Sequence, residues 1–210
     1  QAYAAEGYNR IPVVREVLSD LDTPLSVYLK LADGPNTYLF ESVEGGETWG
    51  RYSIIGLPAK RAFVFRGHLL EEQEFGETID SRTLDDPLAY VDVLRARYRV
   101  PKLDGLPDFS GGLVGYFGFE TIAWIEPKLK MADKPDYMDA PDALLLLSEE
   151  VAVFDNLKGR LYLIVHADPA EPQAYAKAQR RLDELVYRLR QSGRSYPDVL
   201  HPSLLNEADF

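Results

Sequence analysis

Cysteine is absent from the 210 residues, which removes disulfide frameworks, thiolate zinc sites and cysteine nucleophiles. Methionine and tryptophan occur twice each and histidine three times, so imidazole chemistry has few places to sit. Long apolar runs are also missing: stretches such as residues 143–147 fall far below the ~18 residues of a membrane span. No basic block occurs, and 23 Lys and Arg stand against 34 Asp and Glu, a net charge of −11. A surface of that sign repels phosphate backbones, so neither nucleic acid nor a membrane is an expected partner. The chain opens Gln1-Ala-Tyr, without Met and without a basic segment leading into an apolar one. From this we expect no signal peptide, a cytoplasmic location and a trimmed piece.

Familiar catalytic signatures are missing as well. There is no P-loop, no dinucleotide-binding glycine pattern, no H-E-x-x-H and no G-x-S-x-G. His68, His166 and His201 lie far apart in the sequence, which favours turn or surface roles over a metal or a triad. The adjacent acidic pairs Glu71-Glu72, Asp85-Asp86 and Glu149-Glu150 are poor acid/base pairs, because strand neighbours face opposite sides. Asp86 instead suits a helix cap, and Glu149-Glu150 a bend or a sheet edge.

What is present is the balance of a globular domain, 46% hydrophobic and 27% charged. A chain of this length buries roughly 70% of its unfolded surface and needs no staple. Residues 11–18 are strand-like, with Pro12 confining them to a strand start or a sheet edge. Thr23-Pro24 opens a helix whose expected apolar face is Leu25, Tyr28, Leu29 and Leu31. Strand-like runs at 37–43, 52–57, 62–66 and 69–75 predict an antiparallel meander. Leu88, Val91, Leu94 and Tyr98 recur at helical spacing after Asp86-Pro87. Residues 111–118 carry four glycines among apolar residues, which permits close backbone approach, and 119–125 predict a helix. Residues 143–154 and 160–166 predict two strands joined by a tight hairpin. Tyr175, Ala178, Leu182, Leu185, Val186 and Leu189 mark a long amphipathic helix, with Gly193 at its expected C′ position. Blocks of strands and helices, without regular βαβ alternation, predict an α+β fold with antiparallel sheets packed with helices. The expected division is a domain over 1–190 followed by a polar linker over 191–210.

One segment differs in chemistry. A strand ends in Glu41-Ser42, a glycine-bearing loop follows, and a second strand opens Arg51-Tyr52-Ser53. If the two strands pair, a carboxylate, hydroxyls, an arginine and loop N–H groups converge at one end of the hairpin. That set suits a zwitterion, although solvated hairpin ends carry the same residue types.

These residues also carry a likeness. Leu39-Phe-Glu-Ser42 resembles the Leu-Leu-Glu-Ser element of anthranilate synthase component I, and Trp49-Gly-Arg-Tyr-Ser-Ile-Ile-Gly56 resembles that family's Gly-Arg-Tyr-Ser segment. The likeness continues in order through 23–31, 111–116, 141–150, Val153-Phe-Asp-Asn156 and Val165-His-Ala-Asp168, so it covers nearly the whole chain. The resemblance implies one half of an α/β sandwich, a regulatory amino-terminal part that holds the feedback inhibitor L-tryptophan. By position, Glu41 and Ser42 match the inhibitor element, Arg51 falls where a basic residue follows it, and Leu39, Tyr52 and Ser53 line or support the pocket. Phe40 departs mildly, standing where the family often has Leu. The resemblance further implies a chorismate- and Mg²⁺-binding carboxy-terminal half, fed with ammonia by a glutamine amidotransferase, component II. Nothing up to Phe210 matches that half, so we expect no catalysis, no catalytic residue, no metal and no cofactor in this chain alone. Aminodeoxychorismate synthase component I shares the architecture and remains an alternative. So do a free-standing amino-acid-binding module and a purely structural half.

Overall fold

The computed structural model describes residues 2–19, 21–41, 50–126, 128–129 and 139–191. In chain order these form α1 (Ala2–Ala5), β1 (Ile11–Leu18), α2 (Pro24–Leu31), β2 (Tyr38–Phe40), β3 (Tyr52–Gly56), β4 (Arg61–Arg66), β5 (Leu69–Glu74) and β6 (Glu77–Thr83). Then come α3 (Pro87–Arg97), β7 (Gly112–Phe117), a 3₁₀ turn (Phe119–Thr121) running into α4 (Ile122–Ile125), β8 (Ala143–Ser148), β9 (Glu150–Asp155), β10 (Arg160–Ala167) and α5 (Ala174–Arg190). The strands build two five-stranded sheets, ordered β1-β10-β9-β3-β2 and β6-β5-β4-β8-β7, with every pair antiparallel. The α+β expectation holds.

Local chemistry explains the helices. Thr23 and Ser26 form a reciprocal capping box ahead of Pro24, and Asp86 accepts from the Ala89 N–H ahead of Pro87. On α5, Ala178, Leu182, Leu185 and Leu189 are buried at a spacing of three to four residues. They join Val27 and Leu31 of α2 in covering one face of the first sheet, over Ile55, Ala152, Leu163 and Val165. Leu106 and Phe109 pack on its other face, over Val151, Val153, Tyr162 and Ile164. The second sheet packs Phe63, Phe65, Leu145 and Leu147 against Leu94 of α3 and Trp124 of α4. Each fully buried Leu or Phe is worth about 1.5–3 kcal/mol, so these clusters outweigh any surface ion pair.

Several expectations need correction. The buried face of α2 is Val27 and Leu31, with Tyr28 half-buried, whereas Leu25 and Leu29 are exposed. Tyr175 is likewise exposed on α5. The run 52–75 is no single meander, because β3 joins the first sheet while β4 and β5 join the second. The run 143–154 is two strands: β8 belongs to the second sheet and β9 to the first, with Glu149 at the crossing. Strand β6 was not expected, since Glu77-Thr-Ile-Asp-Ser-Arg-Thr83 carries one large apolar residue and shows no alternation. It forms because Phe75 and Gly76, both at positive φ, turn the chain back onto β5. The four-residue α1 was also unforeseen. The strand expected over 37–43 shortens to β2. Ser42 and its loop, His201, Gly193 and the linker from 192 onward lie outside the described residues.

Candidate functional site

Strands β2 and β3 pair with Tyr38 opposite Gly56, Leu39 opposite Ile55 and Phe40 opposite Ile54. Strand β3 in turn pairs with β9, which puts Tyr52 opposite Asp155 and Ser53 opposite Phe154. The loop end of the β2–β3 hairpin, where the chain passes from Phe40 to Tyr52, therefore lies beside the turn that joins β9 to β10.

Arg51 stands at that end and is already engaged. Its Nε donates to both carboxylate oxygens of Asp155 at 3.1 and 3.2 Å, and Nη2 donates to Oδ2 at 2.7 Å. The Asp155 side chain is 1% exposed and the Arg51 side chain 40%. The arginine holds the Asp155 carboxyl below its ordinary range, helped by the Lys158 N–H; the carboxylate in turn raises the guanidinium. The guanidinium carbon lies 4.9 Å from the Tyr52 ring centroid, so the cation is backed by an aromatic face. Next door, the Asn156 N–H donates to the Arg51 carbonyl at 2.8 Å, and its Nδ2 donates to Ser53 Oγ at 3.2 Å. Asp155 and Asn156 thus clamp the start of β3.

The candidates separate by face, as strand alternation requires. Leu39 packs into the helix-side core, and Ser53 lies buried two residues from Ile55 of that core. Tyr52 and Ile54 belong to the opposite face. Glu41 is exposed, immediately beyond β2. The structure therefore brings Arg51, Tyr52 and Ser53 to one hairpin end and keeps Leu39 as support. Asp155 and Asn156 complete the arrangement from about 100 residues away. They were quoted above only as part of a likeness, and no local signal marks them as partners of Arg51 and Ser53.

Tyr38 belongs to the same element. Its ring lies against Gly56, where an added Cβ would meet ring carbons at 2.0–2.4 Å, and its hydroxyl shares a 2.7 Å hydrogen bond with Ser148. Burial pushes this hydroxyl up to about 12. The exposed Phe40 ring packs against it at 4.9 Å.

A second concavity of about 880 Å³ lies between the two sheets, and most of its charges are paired with one another. Arg10 bridges Glu149 and Asp168 at 2.5 and 2.7 Å, Arg181 forks onto Glu150, and Lys177 meets Glu171. Glu149 and Glu150 thus have separate arginines and form no carboxylate pair. His166, half-buried in the lining of this cleft with Nε2 2.8 Å from the Ser110 carbonyl, is pushed down to about 4 by desolvation. His68 sits at a turn, with Nδ1 2.9 Å from the Leu84 carbonyl. Among the described residues, no three His, Asp or Glu side chains cluster as a metal site. Among those residues no helix is long and apolar enough to cross a membrane.

No protein-family model matches the chain. Individual proteins do. Over 188 residues the chain is 53% identical to anthranilate synthase component 1 of Pseudomonas aeruginosa, covering 90% of this chain and 38% of that protein. The chain belongs to the anthranilate synthase component I family. The Neisseria meningitidis serogroup C protein of the same name is 50% identical over 91% of the chain and 40% of its own length. That of Aquifex aeolicus is 34% identical over 98% of the chain and 41% of its own length. The chain therefore spans about two-fifths of the length of the curated relatives it matches. The fold agrees with the crystal structure of anthranilate synthase component I from Streptococcus pneumoniae, with TM-score 0.55 over 85% of this chain, 37% of that one and 23% identity.

Proposed function

We propose that this chain is the amino-terminal regulatory part of a cytoplasmic anthranilate synthase component I, and that it holds the feedback inhibitor L-tryptophan at the loop end of the β2–β3 hairpin. The observation that carries the reading is the state of Arg51. Asp155 and Tyr52 fix its guanidinium, yet only Nε–H and one Nη2–H are used, which leaves three N–H donors in a fixed fork. That fork suits a ligand carboxylate, while Glu41 at the end of β2 suits an ammonium. Ser42 and the loop after it supply further donors in this reading, and Leu39, Tyr52 and Ser53 shape and support the pocket. The whole protein converts chorismate to anthranilate. Its carboxy-terminal half carries the chemistry and Mg²⁺, and the glutamine amidotransferase component II delivers ammonia. Inhibition then requires that tryptophan bind one arrangement of the two halves more tightly than the other.

The test uses the full-length enzyme with its amidotransferase. Ser42→Phe and Arg51→Gln should each raise the tryptophan concentration for half-inhibition by about ten- to a hundredfold, the range expected for one lost charge-assisted contact. Uninhibited turnover should stay within about twofold of the parent. Unchanged inhibition in both variants would remove the hairpin end from the inhibitor site.

A further inference from the structure

Strand β2 leads directly into Glu41, yet its backbone holds it lightly. It is an edge strand of three residues, and among the described residues it pairs with β3 alone. An edge with so few ladder bonds is the kind of segment that opens first.

A side chain compensates. Tyr38 stands opposite Gly56, and its ring lies where a Cβ on that glycine would meet ring carbons at 2.0–2.4 Å. The missing Cβ lets the ring reach across β3, and its hydroxyl shares a 2.7 Å hydrogen bond with Ser148 Oγ. Ser148 is 1% exposed and is the last residue of β8, where the chain crosses from the second sheet to the first. The bond therefore ties the edge of the first sheet to the crossing between the sheets. Just before β2, the hydroxyl of Thr37 shares a 2.9 Å bond with that of Tyr28 on α2, so the start of the strand is fixed twice.

Phe40 carries this hold along the strand. Two residues beyond Tyr38, it stands on the same face, and the two ring centroids lie 4.9 Å apart with the planes at 33°. Glu41 follows immediately. Opposite Phe40 is Ile54, and Tyr52, on the same face as Ile54, backs the Arg51 guanidinium. One face of the hairpin thus runs from Ser148 through Tyr38 and Phe40 towards the carboxylate, and through Ile54 and Tyr52 to the cation. The half-exposed Phe40, a mild departure from the family's Leu, acquires a role here, because leucine would offer Tyr38 no ring to stack on.

We infer that Tyr38 is a positioning residue for the inhibitor site: its bond to Ser148, passed on through Phe40, sets where Glu41 stands relative to Arg51. The inference rests on the tryptophan site proposed above. Tyr38 touches no ligand in this scheme. It restricts the placements open to β2, so less ordering is left for the ligand to impose on binding.

The test is made in the full-length enzyme with its amidotransferase. The readouts are the tryptophan concentration for half-inhibition and, without tryptophan, kcat and KM for chorismate. Tyr38→Phe and Ser148→Ala should each raise the half-inhibition concentration about fivefold, what one neutral hydrogen bond is worth. The double variant should show the same shift as either single one, because both remove one bond. Phe40→Ala should raise it about three- to tenfold, whereas Phe40→Tyr, which keeps the ring, should stay near the parent. In every variant kcat and KM should remain within about twofold, a split that general destabilisation does not produce. Unchanged half-inhibition in Tyr38→Phe and Ser148→Ala, with Arg51→Gln still weakening inhibition, overturns this inference and leaves the site standing. Shifts that multiply to about twenty-fivefold in the double variant also overturn it, because the two side chains then act separately. Unchanged inhibition in Arg51→Gln as well removes the site and this inference with it.

Discussion

Gly56→Ala is the substitution whose cost can be worked most directly from the structure. The new Cβ would lie 2.0 Å from Tyr38 Cε1 and 2.4 Å from Cδ1 and Cζ. Carbon atoms prefer about 3.5–4.0 Å, so the ring must retreat by roughly 1.5 Å. Tyr38 holds a 2.7 Å hydrogen bond to Ser148, and a retreat of that size breaks it. Overpacking costs about 1–3 kcal/mol and the lost bond about 1 kcal/mol, together about 3 kcal/mol. For a chain of this size that is a fall in Tm of about 6–12 °C. Thermal unfolding of the 210-residue chain followed by circular dichroism reads it. The Tyr38 hydroxyl should also titrate below about 12, because burial is what pushes it there. Tyr38→Ala supplies the decisive control. With the ring gone, Gly56→Ala should cost less than about 0.5 kcal/mol, or stabilise, since glycine in a strand is entropically unfavourable by about 0.5–1 kcal/mol. Equal costs in both backgrounds would refute the close packing of ring on glycine.

Three further outcomes follow from single residues. His166 is held near 4 by burial, so the unfolded chain takes up its proton first as pH falls from 6.5, and stability should decline steadily between about 6.5 and 4; NMR should show no titration of its ring above pH 5. Asp155 is depressed by Arg51, so its stabilisation is present above the ordinary carboxylate value of 3.8 and fades as pH drops through the lower folded one; Asp155→Asn should remove that part of the acid limb of a Tm–pH profile. Thr23→Ala should cost about 1 kcal/mol through loss of the α2 capping box, read as a fall in Tm of about 2–4 °C, with Thr23→Ser nearly neutral.

Much of the fold was legible where the cause was local. Caps at Thr23 and Asp86 announced two helices, and the spacing of Ala178, Leu182, Leu185 and Leu189 announced a third. The hairpin between β9 and β10 was equally plain, and Pro12, expected at a strand start or a sheet edge, lies on the edge strand β1. Gly115 confirmed the close approach expected of its strand, since a Cβ there would stand 1.8 Å from the Leu144 carbonyl oxygen. The site was half legible. Arg51, Tyr52 and Ser53 are contiguous and were found together, whereas the groups that hold them, Asp155 and Asn156, are distant in sequence.

What the sequence by itself determined is therefore most of the elements, the core-facing row of α5 at Ala178, Leu182, Leu185 and Leu189, and the family to which they add up, but neither β6 and α1 nor the buried face of α2. What it determined depends on neighbours within about four residues or on matched motifs. The tertiary structure alone decided which strand lies beside which. Residues 143–154 read as one near-continuous apolar strand, yet the ladder changes sheets at Glu149, and β3 and β4 part company across four residues. A period of two records which way a side chain points but not which backbone accepts its hydrogen bonds. That pairing was settled by burying the helix-side core, the second-sheet core and the Asp155 carboxylate together.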